Sequence, residues 1–112
     1  MIYIKVIWNQ QDPSYPTIFY SELDSARYET RKVVSYLDGR LEFTNEDNES
    51  DEVFLAEHPV PTLLEISEDP EFEAVEISQS EFEKIWDSAQ GRKVEQISFF
   101  KRFLQFLGFR NS

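Results

Sequence analysis

The chain contains no cysteine. That excludes disulfide staples, thiolate metal sites and cysteine nucleophiles. Only three glycines are present, Gly39, Gly91 and Gly108, too few and too scattered for a phosphate-cradling loop. His58 is the single histidine. It precedes Pro59 with no nucleophile beside it, so a serine–histidine site has no support and a surface histidine is the simpler reading. Uninterrupted apolar runs are short. The phenylalanine-rich C-terminal run is broken by Lys101 and Arg102 and cannot span a bilayer. The N-terminal MIYIKVIWNQ lacks the basic leader and small-residue cleavage site of a signal peptide, so a cytoplasmic location is expected. Basic residues are outnumbered 22 to 11, for a formal charge of −11.

Against these absences, 40% of the 112 residues are hydrophobic and 15% aromatic, enough for one core without metal or disulfide help. The charge is concentrated. Residues 46–87 hold 15 acids and one base, whereas residues 1–45 are nearly neutral and residues 88–112 are net basic. An acidic middle repels phosphate and argues against nucleic acid as a ligand. It would attract a basic protein, although a merely solvated, solubilising face is the plainer alternative.

Alternation makes Ile2 to Trp8 a strand, with Ile2, Ile4, Val6 and Trp8 on one face. Asn9 to Pro16 reads as a loop. Thr17 to Leu23 is a second strand and Asp24 to Arg27 a turn. Tyr28 to Leu37 and Arg40 to Thr44 form a hairpin around Asp38-Gly39. A two-residue turn there would pair Tyr36 with Leu41 and Val34 with Phe43, placing all four on one face. Asn45 to Glu52 is an acidic loop, and Val53 to Leu55 a short possible strand. Thr62 with Glu65 is a capping box opening a short helix to about Ser67. Phe72 to Ile77 is a further strand. Ser78 with Glu81 opens a helix burying Phe82, Ile85, Trp86 and Ala89, with a break at Gln90-Gly91. From Val94 to Leu107 a third helical pattern is apolar over half its circumference. Core docking, a dimer face and a membrane-surface helix all suit it, and the negative body weakens the last.

The expected fold is therefore α+β: a mostly antiparallel sheet of four to six strands, with two or three helices packed on one face. Residues 1–90 would form the domain, and residues 91–112 an amphipathic helix on it or at a homodimer interface, the latter making the chain a dimerising regulatory module.

Two groups of residues are candidates for function. Glu22, Asp24, Arg27, Glu29, Arg31 and Lys32 form the densest charged cluster. A small enzyme could draw acid–base chemistry from Glu22, Asp24, Arg27 and Arg31 if burial raised one carboxyl. The structural alternative is a ladder of cross-strand ion pairs between strands two and three. The second group is the acidic segment: Glu46, Asp47, Glu49, Asp51, Glu52, Glu68, Asp69, Glu71 and Glu73, with Phe54 and His58 as possible anchors. Asp47 to Glu52 has some flavour of a calcium loop but lacks its glycine and terminal glutamate. No metal or cofactor is expected.

The strings YIKVIW, YSELD-x-x-R-Y-E-x-R-K-V, DGR, HPVPTLLEI and EFE-x-x-x-IS-x-x-EFE-x-x-W span Tyr3 to Trp86. Together they resemble a small bacterial domain family of unknown function. Small, acidic, single-domain proteins of this kind are similar in type to the immunity proteins encoded beside secreted toxins. The resemblance implies a non-catalytic domain that binds and neutralises a basic toxin.

Overall fold

The computed structural model describes residues 1–47 and 53–91. Five strands, β1 (Ile2–Trp8), β2 (Ile18–Leu23), β3 (Glu29–Ser35), β4 (Leu41–Asn45) and β5 (Phe72–Glu76), form one antiparallel sheet in the order β4-β3-β2-β1-β5. Helix α1 (Leu63–Ser67) precedes β5, and helix α2 (residues 79–91) follows it. The α+β class and strand count are those the alternation implied.

Helix α2 covers one sheet face. Its Phe82, Trp86 and Ala89 are buried with Tyr3 and Val33, and Tyr20, Leu41, Phe43, Ile77 and Ile85 pack around them. Phe82 is fully buried, its ring centroid 5.2 Å from that of Tyr3 and 6.3 Å from that of Trp86. Ser78 caps the helix, its Oγ accepting from the Glu81 N–H at 3.1 Å. Helix α1 starts where its capping signal lies: Thr62 Oγ1 accepts from the Glu65 N–H and donates to Glu65 Oε1. None of its residues is buried; it borders the opposite face.

Three local expectations are corrected. The β3–β4 hairpin has a three-residue loop, not two. Only Gly39 has positive φ (85°), whereas the two-residue turn needs it at both central positions. The Gly39 N–H donates to Tyr36 O, and the Tyr36 N–H to Arg40 O. The pairing therefore slips by one: Val34 faces Glu42 and Val33 faces Phe43. A one-residue slip exchanges faces. Leu41 and Phe43 go under α2, while Val34 and Tyr36 join Val53 and Phe19 on the other side. Second, Val53 to Leu55 is not a strand. It is an irregular strap whose Val53 and Leu55 are buried. Third, helix α2 runs on through Gln90 and Gly91, with Gly91 outside the positive-φ region. The apolar pattern from Val94 and its proposed dimer face lie outside the described residues.

Candidate functional site

The charged cluster on β2 and β3 is divided between the two faces, and the division is made by a bulge. The register shifts between Glu22, opposite Arg31, and Leu23, opposite Glu29. Thr30 is the extra residue, its hydroxyl contacting Glu22 O and Oε1. In a regular strand, Glu29 and Lys32, three apart, would point to opposite faces; the bulge puts both on one.

On the α2 face, Glu22 accepts from Arg31 Nε at 2.9 Å and from Arg31 Nη2. Arg31 also pairs with Glu83 of α2 and lies over the Phe82 and Trp86 rings, 4.9 and 5.0 Å from their centroids. Hydrogen bonding to the guanidinium outweighs burial and holds the Glu22 carboxyl at about 2, well below its ordinary 4.5. The same bonds push Arg31 upward. Burial first, then the hydrogen bond to Glu22, raises the Tyr3 phenol. This group bolts α2 to the sheet.

On the other face, the remaining charges hold the strap. Buried Glu29 accepts from Ser21 Oγ at 2.6 Å, from the Ala56 N–H at 2.6 Å and from Lys32 Nζ at 2.8 Å. Lys32 Nζ also donates to Phe54 O at 3.0 Å. Arg27 donates to the carbonyls of Val60 and Pro61 at 2.8 and 2.7 Å, and its own carbonyl accepts the Val60 N–H. Arg27 occupies the left-handed region (φ 69°), the position Gly39 fills in the next hairpin. Asp24 shapes that turn by accepting the Ala26 and Tyr28 N–H groups. Within this cluster, among the described residues, Glu22–Arg31 is thus the one cross-strand ion pair. Lys32–Glu29 lies within β3, and Arg27 acts on carbonyls.

Between strap, α1 and sheet lies an open cleft of about 420 Å³. Ile4, Val6, Phe19, Val60, Ile66 and Phe72 form its apolar walls; Ser21, Glu29 and Lys32 its polar floor; Glu65 and Asp69 its mouth. The cleft exists because the residues contributed here are small: Ser21 from β2 and Ala56 from the strap. Ser21 spends its proton on Glu29, so it offers the cleft acceptor lone pairs. Lys32 has one N–H beyond its two contacts. Trp8 stands behind Phe72 and Phe19, and its buried indole N–H has no hydrogen-bond partner among the described residues.

The described acidic candidates lie at two edges of the sheet. Glu46 and Asp47 are exposed past the end of β4. Glu68, Asp69, Glu71 and Glu73 are exposed around α1 and β5, the opposite edge, four strand spacings or about 19 Å away. Phe54 and His58 are exposed on the strap, outside the cleft lining. Glu49, Asp51 and Glu52 lie outside the described residues. The cleft itself was missed in the sequence. Its only trace there was the strongly apolar Ile4–Val6 face, which reads equally well as closed core.

Among the described residues no helix is long and apolar enough to cross a membrane, and no group of three or more His, Asp or Glu side chains is placed to hold a metal. The chain belongs to the family described as a domain of unknown function, DUF6881, whose model matches residues 2–91. No curated protein and no solved structure matches it.

Proposed function

Starting from a family with no assigned activity, we propose that this domain is a non-catalytic protein-binding module: an immunity protein that neutralises a cognate secreted toxin by meeting its basic surface. One observation carries the reading. Leu64, 76% exposed on α1, is followed in sequence by the exposed acids Glu65, Glu68, Asp69, Glu71 and Glu73. An apolar anchor within a charged rim is the anatomy of a recognition surface. The acids would steer a cationic partner and set specificity. Glu46 and Asp47, at the far edge, fall outside this surface. The state of the charged cluster supports the non-catalytic part. Glu22, held at about 2, stays ionised at neutral pH and cannot serve as a general acid, and Arg27 is committed to strap carbonyls.

The test is co-purification from the native host, identification of the partner, and association kinetics across a salt series. Raising salt should slow association more than it speeds dissociation. The double reversal Glu68→Lys and Glu73→Lys should cut the association rate by about tenfold or more with the fold intact. Co-expression with the partner should protect cells from it. An acidic partner, or an unchanged association rate after the reversal, overturns the proposal.

A further inference from the structure

We infer that the cleft between strap, α1 and sheet seats one large apolar side chain of that basic partner, flanked in the partner by lysine or arginine. This rests on the protein-binding reading and names the pocket it would use.

The argument is one of size and charge. The open cleft of about 420 Å³ falls within the size range of binding sites and has room for one large side chain with space beside it. Walls of Ile4, Val6, Phe19, Ile66 and Phe72 reward an apolar guest. The floor is neutral as a whole, because Glu29 and Lys32 cancel. A cation driven to the floor would meet Lys32. The mouth is different: Glu65 and Asp69 are both acidic, and among the described residues no basic one joins them there. An anionic guest is repelled at entry, and a cationic group is held at the rim while the apolar group goes in. That order matches a hydrophobic side chain between basic neighbours. The spare Lys32 N–H and the Ser21 lone pairs leave room for a polar tip, such as a phenol.

The cleft is also built to keep its shape. Its strap wall is held at Phe54 and Ala56 by Lys32 and Glu29, and at Val60 and Pro61 by Arg27. A site held open before binding loses less entropy on complex formation.

The test titrates the whole chain, labelled with ¹⁵N, with four probes: Ac-Lys-Phe-Lys-NH₂, Ac-Lys-Ala-Lys-NH₂, Ac-Glu-Phe-Glu-NH₂ and 2-phenylethylamine. The first should saturably shift the amides of Ser21, Ala56, Ile66 and Phe72 and the Trp8 indole signal. The alanine peptide should bind roughly ten- to a hundredfold more weakly, the difference of one buried phenylalanine. The acidic peptide should leave these signals unmoved. Ala56→Phe, which plugs the cleft, should abolish the shifts. If that variant does not fold, Glu65→Lys, on an exposed side chain, should weaken the binding of Ac-Lys-Phe-Lys-NH₂. The inference is overturned if the cleft signals do not move, if the alanine or acidic peptide binds as well, or if the plug or reversal changes nothing. Equal binding by 2-phenylethylamine also overturns it, assigning the cleft to a small amine. The two proposals fail separately. A partner that binds the Ala56→Phe variant at full affinity but is lost on reversing Glu68 and Glu73 removes the cleft inference and leaves the proposed function standing. Peptide binding in the cleft with no basic partner in the host removes the proposed function alone.

Discussion

Replacing Glu22 by glutamine keeps the shape of the side chain and removes its charge, and the structure sets the size of the effect. The Glu22 side chain is 8% exposed, and its carboxyl faces the Arg31 guanidinium, which lowers it from 4.5 to about 2. At about 1.4 kcal/mol per unit, that shift corresponds to roughly 3 kcal/mol of preferential binding of the ionised form. The glutamine still accepts a hydrogen bond, and Glu83 still pairs with Arg31, so the expected loss at pH 7 is about 2 kcal/mol. For a domain of this size that lowers Tm by about 10 °C. The pH dependence is the sharper signature. Because the folded value lies below the unfolded one, the stabilisation is complete above the ordinary carboxylate range. It is lost as pH falls from 4.5 through about 2. Thermal unfolding of both proteins, followed by circular dichroism from pH 7 to pH 2, should show a gap that is full at neutrality and closes across that interval. Equal melting temperatures at pH 7, or a gap that stays constant into acid, would refute the claim that the ionised Glu22–Arg31 pair bolts helix to sheet.

Two further substitutions separate backbone from side-chain effects. Arg27→Ala loses the clasp on Val60 and Pro61 and keeps the left-handed strain, whereas Arg27→Gly loses the clasp and relieves the strain. The glycine variant should be the more stable of the two by about 1 kcal/mol in denaturant unfolding; the reverse order would show that the turn carries no strain. Phe82→Ala should cost about 3–5 kcal/mol, since the ring is fully buried between Tyr3 and Trp86 beneath Arg31. Hydrogen exchange should then rise throughout α2, and unchanged protection there would contradict its docking through this residue.

The charges of the signature SELD-x-x-R-x-E-x-R-K are engaged inside the fold. Arg31 and Glu22 hold the helix, Glu29 and Lys32 the middle of the strap and Arg27 its proline-rich end, while Asp24 shapes its own turn. A substitution in this cluster acts through position and stability. Loss of binding in the Glu22 or Arg27 variants therefore has to be set against their melting temperatures before it is assigned to contact with a partner.

What the sequence determined by itself is what depends on neighbours along the chain. Alternation places β1 and β5, because side-chain direction in a strand has a period of two. Thr62 with Glu65 and Ser78 with Glu81 mark both helix starts, because a cap needs only a donor and an acceptor three residues apart. The spacing of Phe82, Ile85, Trp86 and Ala89 marks the buried stripe of α2 for the same reason. Tertiary structure decided what depends on residues far apart. Asp38-Gly39 announces a turn, but whether two or three residues close it shows only in the backbone angles, and that single residue decides on which face Leu41 and Phe43 are buried. The Thr30 bulge has no mark in composition, yet it brings Glu29 and Lys32 to one face, where the strap from residues 53–61 can be caught. The cleft comes last in that order. It is the space left where Ser21 and Ala56, 35 positions apart, are both small, and only the docking of strap on sheet makes them neighbours.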